Sequence, residues 1–202
     1  MTVIEIDTPH GPARAHVHPA EDGPRGALAL GHGAGGGIAA RDLVAVSDVA
    51  RAEGFVVALV EQPYAVAGRR SVAPTHQLDV AWLAVVEHLR ADALAGLPLV
   101  AGGRSSGARV ACRTAEAAGA HAVLCLAFPV HPPGRPEKSR LSELDAVSVP
   151  VLVVQGERDP FGMPPPGPHR SVVKAPGTHS FSGDLSKVTG PVRSWLAELA
   201  AH

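Results

Sequence analysis

The chain has 202 residues, 46% hydrophobic and 18% charged, with a formal net charge of -1. That length and composition predict one globular domain, 1–202, with a sizeable core. The near-neutral charge argues against nucleic acid or an anionic membrane as the main partner.

Taken in chain order, Val3 to Asp7 and Ala13 to His18 alternate apolar and polar residues across Pro9-His-Gly-Pro12, the pattern of an antiparallel hairpin with one wet face. Short, wholly apolar runs follow at Ala27–Gly31, Phe55–Val60, Leu97–Ala101, His121–Ala127 and Val149–Val154, with a last strand at Ser171–Lys174. Runs without alternation suit strands buried on both faces, as in a parallel sheet. Helical spacing lies between them: Leu43, Val46 and Ala50; Leu78, Trp82, Val85, Val86 and Leu89; Ala108, Ala111, Cys112 and Ala115; and Val188, Val192, Trp195 and Leu199. The alternation predicts a doubly wound, mostly parallel α/β sheet of about eight strands.

Sites in such sheets form beyond the carboxyl ends of the strands. That edge collects Gly31-His-Gly-Ala-Gly-Gly-Gly37, Glu61-Gln-Pro-Tyr64, Ser105, Pro129-Val-His131, Asp159 and His179. Gly103-Arg-Ser-Ser-Gly107 fits G-x-S-x-G, a strand-to-helix turn that lifts a serine clear of the sheet. In a chain with 22 glycines the pattern alone is weak, so its context matters. A serine needs a base, and the base a carboxylate to orient it. In this turn's usual setting the acid and then the base follow the serine in sequence. Asp159, in a tight Asp-Pro turn after a buried strand, is the expected acid, with Glu157 as its competitor. His179, after the last strand, is the expected base; His32 precedes the serine and has the wrong order. The expected oxyanion donors are the amides of Ser106 and of Ala34, with Gly33 as the neighbouring choice. The Gly31–Gly36 loop lacks the Gly-Lys-Ser/Thr end of a phosphate loop and does not fit G-x-G-x-x-G.

These residues carry a resemblance. Gly31-His-Gly-Ala-Gly-Gly36, Pro63-Tyr64 with Gly68-Arg-Arg70, Gly102–Arg109, Phe128–Lys138, Gln155–Gly162 and Thr178–Phe181 together resemble the serine α/β-hydrolases of the dienelactone-hydrolase-like group. The resemblance is nearest to the branch holding the hydrolase-like subunit of the NSL chromatin complex and its small bacterial relatives. It implies the α/β-hydrolase fold and carries a catalytic triad onto Ser105, Asp159 and His179. Two departures stand out. Dienelactone hydrolases proper use a cysteine where this chain has Ser105, and Ser106 and Ala108 replace the branch's usual bulkier residue and glycine.

The segment Phe128–Val147 is too short for a lid domain, which predicts an open site suited to a small ester or thioester. His32, Tyr64, Arg104 and His131 are the candidate substrate contacts, and Arg69 and Arg70 would add to a preference for an anionic substrate. Arg104 has a second reading as a structural ion pair beneath the turn, and Arg69 and Arg70 as a solvated loop. The expected activity is that of a carboxylesterase or thioesterase, with no metal or organic cofactor. The rival reading is a hydrolase-fold interaction module with little turnover; a peptidase ranks last. Cys112 and Cys125 read as buried, reduced thiols. No signal peptide or membrane-spanning run is expected. The expectation is a cytoplasmic monomer or homodimer, and high Ala, Gly and Pro with little Lys suggests a GC-rich bacterial source.

Overall fold

The computed structural model describes residues 1–181 and 183–201. Strands β1 (Thr2–Ile6), β2 (Ala13–His18), β3 (Gly26–Gly31), β4 (Phe55–Glu61), β5 (Leu99–Arg104), β6 (Ala122–Leu126), β7 (Val151–Gly156) and β8 (Arg170–Ala175) form one sheet of eight strands in the order β1-β2-β4-β3-β5-β6-β7-β8. β1 and β2 pair antiparallel, and β2 runs antiparallel to β4. Every other pairing is parallel. The expected hairpin and parallel sheet are both present.

The helices are α1 (Arg41–Ala52), α2 (Pro63–Val66), α3 (Thr75–Ala91), α4 (Ser106–Thr114), α5 (Leu141–Asp145) and α6 (Ser186–Leu199). They cover both faces, and the strands sort their side chains accordingly, because successive residues of a strand point to opposite faces. Leu28, Leu30, Val57, Leu59, Leu124 and Leu126 pack with Leu43 and Val46 of α1 and Val188, Val192 and Leu196 of α6. The opposite face presents Ala27, Ala29, Ala58 and Ala101 to α3 and α4. Small side chains there let α4 lie close on the sheet, and α4 answers with Ala108, Ala111 and Cys112. Trp82 of α3 is fully buried in the same layer.

Two local expectations are corrected, and two short helices are added. β5 does not stop at Ala101; it continues through Gly102 and Gly103 to Arg104 and delivers the chain directly to Ser105. The buried stripe of α6 is Val188, Val192 and Leu196, with Trp195 and Leu199 only half-buried beside it. α2 and α5 are single turns, too short to show a helical period.

Candidate active site

Ser105 sits between β5 and α4 with φ 53° and ψ -107°. A side chain in that region costs about 1–3 kcal/mol, so the surroundings must hold it there. Three glycines do so by letting backbone meet backbone. A Cβ on Gly103 would lie 2.5 Å from the carbonyl oxygen of Gly31, and one on Gly31 would lie 3.2 Å from Cα of Gly107. A Cβ on Gly107 would overlap the Gly31 backbone outright. The Ser105 amide is anchored on the Leu126 carbonyl of β6 at 2.9 Å.

The turn brings Ser105 Oγ to 2.8 Å from Nε2 of His179. Nδ1 of His179 lies 2.9 Å from Oδ2 of Asp159, whose side chain is fully buried. With Nδ1–H donating to the carboxylate, Nε2 is left as the acceptor for the serine hydroxyl. Asp159 is itself held: Oδ1 accepts the Phe161 amide at 2.9 Å and Oδ2 accepts Nε2 of Gln155 at 2.9 Å. The Phe161 ring meets the imidazole edge-on, with centroids 4.4 Å apart. The competitor Glu157 is exposed. Sequence order and structure therefore converge on the same three side chains.

The helix beginning at Ser106 leaves its first amides without intrahelical acceptors. Ala34 lines the same cleft as Ser105, Ser106 and His179. Gly33 lies directly against the serine, since a Cβ there would be 3.5 Å from Cβ of Ser105. Among the described residues the Ala34 amide has no acceptor. The loop is thus arranged to offer a donor opposite Ser106.

Not all the candidate contacts arrive. His32 is buried; its Nδ1 bonds the Gly33 carbonyl at 2.8 Å and its Nε2 accepts the Gln62 amide at 3.2 Å. It is a post for the Gly31–Gly37 loop and does not line the cleft. Tyr64 is buried too, its hydroxyl 3.5 Å from the Ala34 carbonyl, and it faces a separate hollow with Gln62 and Arg69. Burial raises the Tyr64 phenol above its ordinary pKa. His131 bonds its neighbour's Pro132 carbonyl at 2.9 Å, and the cleft wall beside it is made by Pro129 and Pro133. Arg69 and Arg70 are exposed outside the cleft.

Arg104 lines the cleft, but its guanidinium is committed. Nε bonds Asp42 Oδ2 at 2.9 Å, and Nη2 bonds the His179 carbonyl at 3.1 Å and Ser180 Oγ at 2.9 Å. The structural reading of Arg104 holds, and it clamps the histidine loop to α1. Sequence reasoning missed Asp42, Gln155 and Phe161. The one available signal was Gln155, a polar residue ending an otherwise apolar strand.

The cleft has a volume of about 400 Å³. Between β6 and β7 stand only loops and the single turn α5. Among the described residues no group of three or more His, Cys, Asp or Glu side chains is disposed to hold a metal ion. Among them also, no helix is long and apolar enough to cross a membrane.

Comparison with known proteins adds a family. Residues 24–169 match the family model described as an alpha/beta hydrolase domain. The chain belongs to that family. No curated protein matches it. Among solved structures, an α/β serine hydrolase without a lid from Xanthomonas campestris superposes with a TM-score of 0.79 at 19% identity, covering 98% of this chain and 94% of that one. Est1E from Butyrivibrio proteoclasticus gives 0.81 at 19%, covering 100% of both chains. A dienelactone hydrolase from Anabaena variabilis gives 0.76 at 15%, covering 98% and 96%. At these identities the likeness is one of fold, and it is the α/β-hydrolase fold that the elements above describe.

Proposed function

We propose that this α/β-hydrolase domain is a serine hydrolase that cleaves a small ester or thioester through an acyl-enzyme on Ser105. The observation that carries the reading is the unbroken hydrogen-bonded line from Ser105 Oγ through His179 to the buried Asp159. In this reading His179 takes the serine proton as Oγ attacks the acyl carbon, and then gives it to the leaving group. Asp159 holds the imidazole and stabilises its charged form. The amides of Ser106 and Ala34 receive the oxyanion. Water then repeats the cycle on the acyl-enzyme.

The open cleft favours short acyl groups over long chains. The finer kinship, with the dienelactone-hydrolase-like group and its NSL-related branch, rests on the motif stretches from Gly31 to Phe181. Among the described residues the large exposed apolar side chains are Met1, Val3, Val44, Val72 and Val80, scattered over separate elements, which supports turnover over a docking role. The test is hydrolysis of short p-nitrophenyl esters and acyl thioesters by wild type and Ser105→Ala. Turnover in the wild type and its loss in a normally folded variant are expected; equal turnover would overturn the proposal.

A further inference from the structure

The cleft beside Ser105 carries more positive charge than the protein neutralises. Its lining includes Arg104, Arg109 and Arg140 and no carboxylate. Arg104 is held by Asp42 at 2.9 Å. Arg109 forks onto Glu143, Nε at 2.8 Å and Nη2 at 2.5 Å. The same Glu143 also receives Arg113 at 3.2 Å, and Arg113 forks onto Asp79 at 2.9 and 2.6 Å. Around α4 and α5, Glu143 and Asp79 are thus already engaged by Arg109 and Arg113. Arg140 is the one left over: among the described residues its half-buried guanidinium has no ion-pair partner and no hydrogen-bond acceptor. Its backbone is fixed, with the amide on the Val130 carbonyl at 2.7 Å and its own carbonyl accepting the Glu143 amide at 3.0 Å. Burial first, then Arg109 and Arg113, press its pKa below the ordinary arginine range, with Glu143 opposing them. An arginine stays charged all the same, so this is a cation in want of an anion.

We infer that Arg140, backed by Arg109, binds an anionic group of the substrate, so that the preferred ester or thioester carries a carboxylate or phosphate besides its scissile bond. The inference rests on the serine-hydrolase reading. It moves the anion site away from Arg69, Arg70 and His131, which lie outside the cleft, to the α4–α5 wall. Arg109 stands one helical turn beyond Ser105, its amide on the Ser105 carbonyl at 3.2 Å. That sets the Arg109 backbone about one turn, roughly 5 Å, along α4 from the serine, with Arg140 lining the same cleft. An anion held on this wall fits either the far end of a short acyl chain or the leaving group.

The experiment measures kcat/KM on two matched pairs in wild type, Arg140→Gln, Arg140→Lys and Arg140→Glu. Mono-p-nitrophenyl glutarate against p-nitrophenyl butyrate places the charge on the acyl side. 4-Carboxyphenyl butyrate against 4-carbamoylphenyl butyrate places it on the leaving group. In wild type, one pair is expected to favour the charged ester by roughly 10- to 100-fold, mainly through KM. Arg140→Gln brings that ratio near unity, Arg140→Lys restores part of it, Arg140→Glu inverts it, and added salt shrinks it. A ratio at or below unity for both wild-type pairs, or one unmoved by Arg140→Gln, overturns the anion site. Fluorophosphonate labelling keeps the two readings apart: labelled Ser105 with flat ratios removes only the anion site, whereas no labelling removes the serine reading. In that case calorimetry on Ser105→Ala still decides the site, since monomethyl glutarate must bind more tightly than dimethyl glutarate, and equal affinity contradicts it.

Discussion

Gln155 offers a demanding test of how Asp159 is held. Its side chain is fully buried at the end of β7, with Nε2 2.9 Å from Asp159 Oδ2, 3.0 Å from the Phe128 carbonyl and 2.9 Å from the Gly162 carbonyl. Its Oε1 has no partner among the described residues. Gln155→Leu keeps most of the volume and removes the donor. Leaving two buried acceptors unmet costs about 1–3 kcal/mol each, and deleting the unpartnered Oε1 returns about 1 kcal/mol. The net expectation is a loss of about 1–5 kcal/mol in urea unfolding, set against the roughly 5–15 kcal/mol that holds a domain together. Under the serine-hydrolase reading Asp159 also loosens, and kcat falls by about tenfold or more while KM changes little. Gln155→Glu separates positioning from simple packing. Two carboxylates in contact resist ionising together, so the pair holds a shared proton to a higher pH than a lone carboxyl would. In that state the introduced carboxyl donates to Asp159 as the amide does, and activity declines as pH rises and the shared proton leaves. Gln155→Leu lacks this limb. Stability within about 0.5 kcal/mol of wild type, together with unchanged kcat in Gln155→Leu, would refute the reasoning.

Other consequences follow from the same contacts. Gly107→Ala drives a methyl into the Gly31 backbone, so it should cost about 1–3 kcal/mol or more, read as a lowered Tm or loss of soluble protein. His32→Phe removes the bonds to Gly33 and Gln62 and should destabilise by about 1–3 kcal/mol; under the serine-hydrolase reading, where His179 is the base, the shape of the pH–rate profile should stay intact. Tyr64→Phe should stay within about 0.5 kcal/mol in urea unfolding, since an oxygen 3.5 Å from its acceptor gives almost no hydrogen bond. The Cys112 and Cys125 sulfurs lie 3.4 Å apart and buried, and the bond to Cys112 together with burial pushes the Cys125 thiol well up. Both thiols should resist a neutral-pH thiol reagent in the native protein and react fully in denaturant.

Much of this is legible in the sequence, for identifiable reasons. Strands buried on both faces leave continuous apolar runs, so β3, β6 and β7 can be read directly. The order Ser105, Asp159, His179 follows from which loops leave the carboxyl edge of a parallel sheet. Position in sequence brings a residue to that edge but does not set where its side chain points. His32 turns inward to support the Gly31–Gly37 loop, Tyr64 is buried facing a separate hollow, and His131 turns onto its own backbone. The glycines ending β5 hide its last residues, because glycine reads as a breaker where here it permits close approach. The surplus charge of Arg140 is invisible for another reason. It exists only as a difference, once Glu143 and Asp79 are seen to be occupied by Arg109 and Arg113.

The most direct measurement is fluorophosphonate labelling of the purified protein followed by mapping of the modified residue, with Ser105→Ala and His179→Ala alongside. The account predicts a single adduct on Ser105 in wild type, none in Ser105→Ala, and labelling slowed by about a hundredfold or more in His179→Ala. A folded wild type that takes no label, or takes it elsewhere than on Ser105, would contradict the claim that this serine is activated.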